Sequence, residues 1–445
     1  MLEKPEPILL KGGRVIDPSR GLDEVADVLL VDGRVQDVGR PGTPDGANVR
    51  DVSGQVVVPG LVDVHVHLRE PGGEHKETIA TGARAAIVGG FTSVCAMPNT
   101  DPPIDDPAAV GFVRAEGLRA GGARVYPVGA VSVGLEGERL TLIGEMVEEG
   151  AVAITDDGRP VYDSGLMRVA LEYTQVFGIP VADHCEDRAL SRSGSMNEGV
   201  VSTRLGITGI PKAAEEVMIA RDLILAEMTG GHVHIQHVST RRGVELIRRA
   251  KEQGVRVTAE GTPHHFTLTE DAVDGYRTEA KVNPPLRTAD DVAAVREGLA
   301  DGTLDCIATD HAPHHYDEKE QAFEDAPFGL VGLETALGLG LTELVDGGVL
   351  TLPQLIERMS RAPAEAFHLD AGTLAAGAAA DVTVFDPAAE WTVDPAAFVS
   401  KSRNTPFAGR NLRGHATLTI VGGRIVWDRA RGVDSLRDLV PRRDG

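Results

Sequence analysis

The sequence predicts an α/β fold, a TIM-like (β/α)8 barrel carrying a small β-sandwich built from the two ends of the chain. Three observations predict it. Short apolar runs recur eight times between residues 61 and 312. Helix-like stretches such as GEMVEEGA and RRGVELIRRAKEQG separate most of them, the alternation that closes a parallel barrel whose strands are apolar on both faces. The unusual polar residues of these runs fall at or near their C-terminal ends, which in a barrel converge on one face.

The elements follow in chain order. Residues 8–58 read as strands and turns, with Asp32-Gly33 between two apolar runs as a hairpin signal. The eight barrel runs are LVDVHVH (61–67), TSVCAMPN (92–99), ARVYPVGAV (123–131), AVAITDDG (151–158), IPVADHCED (179–187), HVHIQHVS (232–239), RVTAEGTPHH (256–265) and LDCIATDHA (304–312). The C-terminal part returns to the first grammar, since VGGRIVWD echoes KGGRVIDP near the start. The expected division is therefore 1–58 and 369–445 for the β-sandwich and 59–368 for the barrel.

Composition bounds the function. The 445 residues are 42% hydrophobic, enough for a large core. No run approaches the ~20 apolar residues of a membrane span, and the N-terminus lacks a secretory pattern, so a cytoplasmic protein without a membrane partner is expected. Three cysteines lie far apart without a CxxC pair, which argues against a disulfide framework or a thiolate zinc site. A net charge of −23 excludes a phosphate-tracking surface, hence no nucleic acid. An anionic substrate would need its own local cation.

His65 and His67 stand two apart on one strand and share its side. His184 and His237 end two further runs, and carboxylates end the fourth and eighth: Asp156 or Asp157, and Asp310. Four imidazoles with carboxylates suit Zn2+ or a similar ion. They exceed what one tetrahedral ion with an open position needs, and two ions about 3.5 Å apart would use them all. His264 and His265 are expected to orient ligands or to hydrogen-bond in the core, and His232 and His234, at the opposite strand end, to be structural.

At this point a resemblance becomes specific. DVHVHLREPG, AMPNT, DHCED, TPHH, KVNPPLR, ATDHAPH and SRNTPFAGR together resemble the amidohydrolase superfamily and, within it, the dihydroorotase family, nearly end to end. The resemblance implies reversible cyclisation of N-carbamoyl-L-aspartate to L-dihydroorotate in pyrimidine biosynthesis, with two Zn2+ per chain. It makes His65, His67 and Asp310 ligands of the more buried ion and His184 and His237 ligands of the second. Many relatives bridge the ions with a carbamylated lysine, absent from AVAITDDG; here an aspartate would bridge, Asp157 with Asp156 as the alternative. Asp310 would also be the catalytic acid and base. Arg69, Asn99 and His314 would hold the substrate carboxylate, with His67 alongside, while Asn283 and the backbone at Phe328 and Gly329 would meet the ring amides.

Arg69 suits that task because its planar fork matches a carboxylate; an ion pair with Glu70 or Glu74 is the plain alternative. Residues 314–329, polar and charged, would form either a mobile lid or a long surface connection. The expected partner is the small-molecule substrate, with a homodimer and an association with aspartate carbamoyltransferase also in view. Hydantoinase, dihydropyrimidinase or allantoinase activity is the nearest rival, and a non-catalytic scaffold for aspartate carbamoyltransferase the more distant one.

Overall fold

The computed structural model describes residues 5–437 and 439. Five strands open the chain: β1 (Ile8–Asp17), β2 (Leu22–Val31), β3 (Arg34–Gly39), β4 (Asn48–Asp51) and β5 (Val56–Pro59). The barrel strands follow as β6 (Leu61–Val66), β7 (Phe91–Ala96), β8 (Arg124–Pro127) and β9 (Val181–Asp183). After two short strands, β10 (Met196–Asn197) and β11 (Gly209–Ile210), come β12 (Val233–Ile235), β13 (Val257–Gly261) and β14 (Cys306–Ile307). The chain closes with β15 (Val382–Thr392), β16 (Asn411–Val421) and β17 (Arg424–Asp428).

The terminal strands form one sheet in the order β17-β16-β15-β5-β1-β2-β3, with β4 also on β1. The expected sandwich is thus one continuous sheet folded on itself. β1 makes the fold, because its register shifts between Leu10 and Gly13 and its partner changes there from β4 to β5. Val28 and Leu30 of β2 consequently share one core with Val382 and Val384 of β15, three places away in strand order.

The barrel strands pair in parallel as β6-β7-β8 and β9-β12-β13-β14. Parallel bridges Gly129–Ile154 and Ile154–Val181 join these sheets on one side, and Val66–His311 joins them on the other. The fourth run, expected as a strand, is reduced to the single bridging residue Ile154. Its flanks explain this, since Pro127 and Pro180 offer carbonyls to Val152 and Ile154 but have no N–H to return. Most strands also stop short of the polar residues that end their runs, so His184, His237 and Asp310 sit one to three residues past β9, β12 and β14. No helix among the described residues is long and apolar enough to cross a membrane.

Candidate active site

A cavity of about 310 Å³ opens at this end of the barrel. Its wall contains His67, Arg69, Asn99, Asp157, His184, His237, Asn283, Asp310, His314, Phe328 and Gly329, with His65 fully buried beneath. Every residue predicted for the site is therefore at one place.

Asp157 is central. Its carboxylate lies 3.4 Å from His65 Nε2, 3.4 Å from His67 Nε2, and 3.7 Å from both His184 Nδ1 and His237 Nε2. Asp310 Oδ1 lies 3.0 Å from His67 Nε2 and 3.5 Å from His65 Nε2. Asp156 points elsewhere, accepting from the Ser132 backbone N–H at 2.9 Å and from the Ser132 hydroxyl. Strand alternation separates the two neighbours as expected.

The outer nitrogen of three imidazoles is fixed by an oxygen, which aims the inner one at the cluster. His65 Nδ1 meets Glu260 at 2.6 Å, His67 Nδ1 meets Asn99 Oδ1 at 2.8 Å, and His184 Nε2 meets Glu186 at 3.1 Å. Glu260 also accepts the His237 backbone N–H at 3.0 Å and faces His234 Nε2 at 3.1 Å. Asn283 donates to Glu186 at 2.6 Å. Sequence reading missed both glutamates. The signal for Glu260 was a charge inside a barrel strand, next to last in VTAEG; for Glu186 nothing distinguished it from the acidic residues nearby.

The floor of the cavity has the character of a cation site. His65 Nε2 and Asp157 Oδ1 are buried and make no hydrogen bond. Two buried sets, His65-His67-Asp310 and His65-Asp157-His237, bring one donor atom each to within 4.8 Å of one another. Donors on one tetrahedral ion at about 2.1 Å stand about 3.4 Å apart, close to the separations found. Burial disfavours charge here, yet the carboxylates of Asp157, Glu260 and Asp310 hold His65 well above its ordinary range. Against the same burial, the surrounding histidines hold Asp157 and Asp310 far below the usual carboxylate range. The donor set thus fits a metal ion, which would supply the positive charge these carboxylates draw from protons.

The rim is different. Arg69 Nε donates to the Pro313 carbonyl at 3.1 Å. Its NH2 lies 3.3 Å from His314 Nε2, but that nitrogen faces the Phe328 carbonyl at 2.8 Å. A carbonyl only accepts, so Nε2 carries the hydrogen and offers Arg69 no acceptor. Burial, with Arg69 nearby, pushes His314 down to about 2 and keeps it neutral. Glu70 and Glu74 accept instead from the Ile79 and Gly72 backbone N–H groups. Among the described residues Arg69 has no carboxylate within ion-pair distance, and burial lowers its guanidinium to about 10 although Asp310, Asp157, Glu318 and Glu77 raise it from farther off. Gly329 spends its N–H on the Lys281 carbonyl at 2.9 Å, and its carbonyl accepts from Lys319 and Asn404.

The two ends of segment 314–329, His314 and Pro327 to Gly329, line the cavity. Lys281 donates to the Phe323 and Glu324 carbonyls at 2.7 and 2.9 Å, and Lys319 to those of Pro327 and Gly329 at 2.8 and 3.0 Å. Arg69, His237 and Asp310 adopt φ of 62°, 33° and 48°, a strained region for residues with a Cβ that persists where surroundings impose it. Of the remaining histidines, His265 is satisfied by Thr262 and the Pro284 carbonyl. His264 is buried, with Nδ1 unpartnered.

Comparison with known proteins agrees with this geometry. A family model described as dihydro-orotase-like matches residues 54–243, and an amidohydrolase family model matches 206–427. A dihydroorotase from Pelotomaculum thermopropionicum is 58% identical over 94% of this chain and 98% of its own. One from Pelobacter propionicus is 56% identical over 95% and 100%. Among solved structures, an L-hydantoinase (dihydropyrimidinase) from Arthrobacter aurescens superposes with a TM-score of 0.85 at 28% identity, covering 95% of this chain and 96% of that one. With relatives this similar over almost their whole length, the chain belongs to the dihydroorotase family of amidohydrolases.

Proposed function

We propose that the chain is a dihydroorotase, interconverting N-carbamoyl-L-aspartate and L-dihydroorotate in the synthesis of pyrimidines. One observation carries the substrate choice: a guanidinium without a carboxylate partner stands on the wall of a cavity whose floor is a His/Asp cluster. A substrate lacking a carboxylate would leave that charge unpaired, at a cost of about 1 to 3 kcal/mol. This disfavours hydantoin and allantoin, although hydantoinases share the fold.

His65, His67 and Asp310 would hold one zinc ion and His184 and His237 a second, with Asp157 between them. When bound, such ions polarise the scissile carbonyl and bring the pKa of water toward neutrality. Glu260, Asn99 and Glu186 fix the imidazoles so that their free nitrogens face inward. Arg69 receives the substrate carboxylate on its two NH2 groups, beside Asn99 and His314, and so sets the ring over the floor. Asn283 and the backbone at Phe328 and Gly329 edge the space for the ring amide. Asp310 is held ionised, the form that accepts a proton. As water oxygen bonds to the ring carbonyl carbon, Asp310 takes its proton, then delivers it to the amide nitrogen when the C–N bond breaks. Ring closure runs the same transfers backwards.

This reading includes the division into a barrel of residues 59–368 and an end domain of 1–58 plus 369–445, a cytoplasmic setting, and a homodimer or a complex with aspartate carbamoyltransferase as the assembly to look for. The test is a side-by-side assay on dihydroorotate, hydantoin and allantoin with metal content measured on the same sample. Preference for dihydroorotate with close to two zinc ions per chain is expected. Preference for either neutral ring, or full activity without metal, overturns it.

A further inference from the structure

Both tryptophans of the chain, Trp391 on β15 and Trp427 on β17, line one cavity of about 410 Å³, larger than the catalytic one. Phe398 and His415 share its wall, and Val88, at the end of the helix Ile79–Val88, closes it from the barrel side. The two indole N–H groups are already spent, on the Gly414 carbonyl at 3.1 Å and the Ala416 carbonyl at 3.5 Å. The rings are thereby held in place and offer faces rather than donors. Apolar walls with few polar groups, at this volume, are the ordinary make-up of a small-molecule site.

The charges in the wall are not equivalent. Glu334 spends both oxygens on the Val399 and Ser400 backbone N–H groups. Asp394 caps the Ala396 N–H. Arg429 has no hydrogen-bond or ion-pair partner for its guanidinium among the described residues, and partial burial lowers its pKa with no carboxylate offsetting the loss. Both carboxylates already accept backbone bonds, which does not cancel their charge, whereas the donors of Arg429 are unspent and stand beside aromatic faces, where a planar anion gains stacking and a charge-assisted hydrogen bond together.

The cavity wall also continues into the catalytic site. Phe398 and Val399 begin a segment whose next residues reach it directly. Ser400 donates its hydroxyl to Glu77, which also accepts the Lys401 N–H at 3.2 Å and lies 3.4 Å from His311, the neighbour of Asp310. Asn404 accepts the His314 N–H at 3.1 Å and donates to the Ala312 and Gly329 carbonyls at 3.0 and 3.1 Å. We propose that the tryptophan cavity binds a planar aromatic or heteroaromatic anion, with its ring against the indoles and its charge on Arg429, and that occupancy is felt at the catalytic cavity through residues 398–404.

Because both tryptophans line this cavity, their fluorescence reports on it independently of any activity. Nicotinate is the probe and nicotinamide its neutral counterpart. Saturable quenching by nicotinate is expected, with an affinity about tenfold above that of nicotinamide, or about 1.4 kcal/mol. R429Q should bring the two affinities together, with folding checked by circular dichroism. Val433→Asp, at a rim position 61% exposed, should weaken nicotinate alone. Saturating nicotinate should also change KM or kcat for dihydroorotate about fivefold, the low end of ordinary coupling, in the wild type but not in R429Q. Quenching that never saturates, or R429Q quenched like the wild type, overturns the site. Saturable binding with unchanged kinetics, or a kinetic effect that survives R429Q and so arises at Arg69, overturns the coupling.

Discussion

The barrel holds histidines in two regions that differ in what their nitrogens meet. In the interior, His234 meets Thr258 at 2.8 Å and Glu260 at 3.1 Å, and His232 meets the same Thr258 at 2.9 Å. At the mouth, His65 Nε2 and His237 Nδ1 are buried with no partner, as is Asp157 Oδ1. A buried polar atom without a partner costs about 1 to 3 kcal/mol, and the mouth concentrates several. The same residue type thus closes its bonds within one pair of strands in the interior, while at the mouth it leaves buried nitrogens open or turned to other histidines and aspartates of the cluster. Glu260 belongs to both regions, since it ties interior His234 to the ring of His65 and the backbone of His237.

The sharpest break in that comparison is Asp310→Asn. The amide keeps the shape and an oxygen donor but cannot take a proton. Ring opening should fall by about 10² to 10⁴, the usual worth of a positioned acid or base, while metal analysis still finds bound ions. Loss of metal with loss of activity would make Asp310 a ligand and nothing more.

Glu260→Gln probes the residue shared by the two regions. Its effect should appear first as metal affinity, weakened about 10- to 100-fold as for other residues that orient a ligand from behind, measured by competition with a chelator. His234→Gln should weaken it less, because His234 touches Glu260 and no predicted ligand. Equal losses would mean that both variants simply loosen the core.

Arg69→Met tests the rim against the floor. The floor is untouched, so metal content should hold, while kcat/KM for dihydroorotate falls about tenfold or more, from the loss of a charged hydrogen-bond partner. Slow turnover of a neutral cyclic amide, if measurable, should not fall in parallel. A parallel fall would remove Arg69 from substrate selection.

Much of this was legible in the sequence, for a physical reason. Parallel strands buried on both faces read as apolar runs, so a polar residue at the end of a run stands out, and His65, His67, His184, His237 and Asp310 all stood out in this way. Alternation limited the choice to one of Asp156 and Asp157 but could not pick between them, because Ser132, which draws Asp156 aside, lies just past another run. Glu260 and Asp63 were readable as charges within strands, but not their partners: Asp63 accepts the His65 N–H at 3.1 Å and the Thr309 N–H at 3.1 Å, tying β6 to the end of β14. Nor could sequence show that the end domain is a single folded sheet, since that rests on a register shift in β1.

The last expected effect separates the rim from the floor by pH. The floor groups would titrate with the metal, whereas Lys319 sits in the rim segment, away from the predicted ligands, with Glu279, Lys281 and Glu318 as its charged neighbours. Burial is the main cause that pushes it down to about 7, and its ammonium position faces the Pro327 and Gly329 carbonyls. The unfolded chain keeps a proton on this lysine up to its ordinary value of 10.5. The folded chain keeps it only up to about 7. Between these values the unfolded state binds more protons, so this group makes stability rise with pH across the window and level off above it. The neutral amine still has two N–H groups for the two carbonyls, so the segment stays in place as the charge is lost. Lys319→Met should remove that rise. In thermal unfolding at pH 7 and pH 10, the wild type should gain about 4 °C in Tm relative to the variant, as expected for roughly 3.5 kcal/mol over these three pH units in a chain of this size. If both proteins show the same pH dependence, Lys319 is charged in the folded state, and the segment beside the cavity is held by an ammonium rather than by an amine.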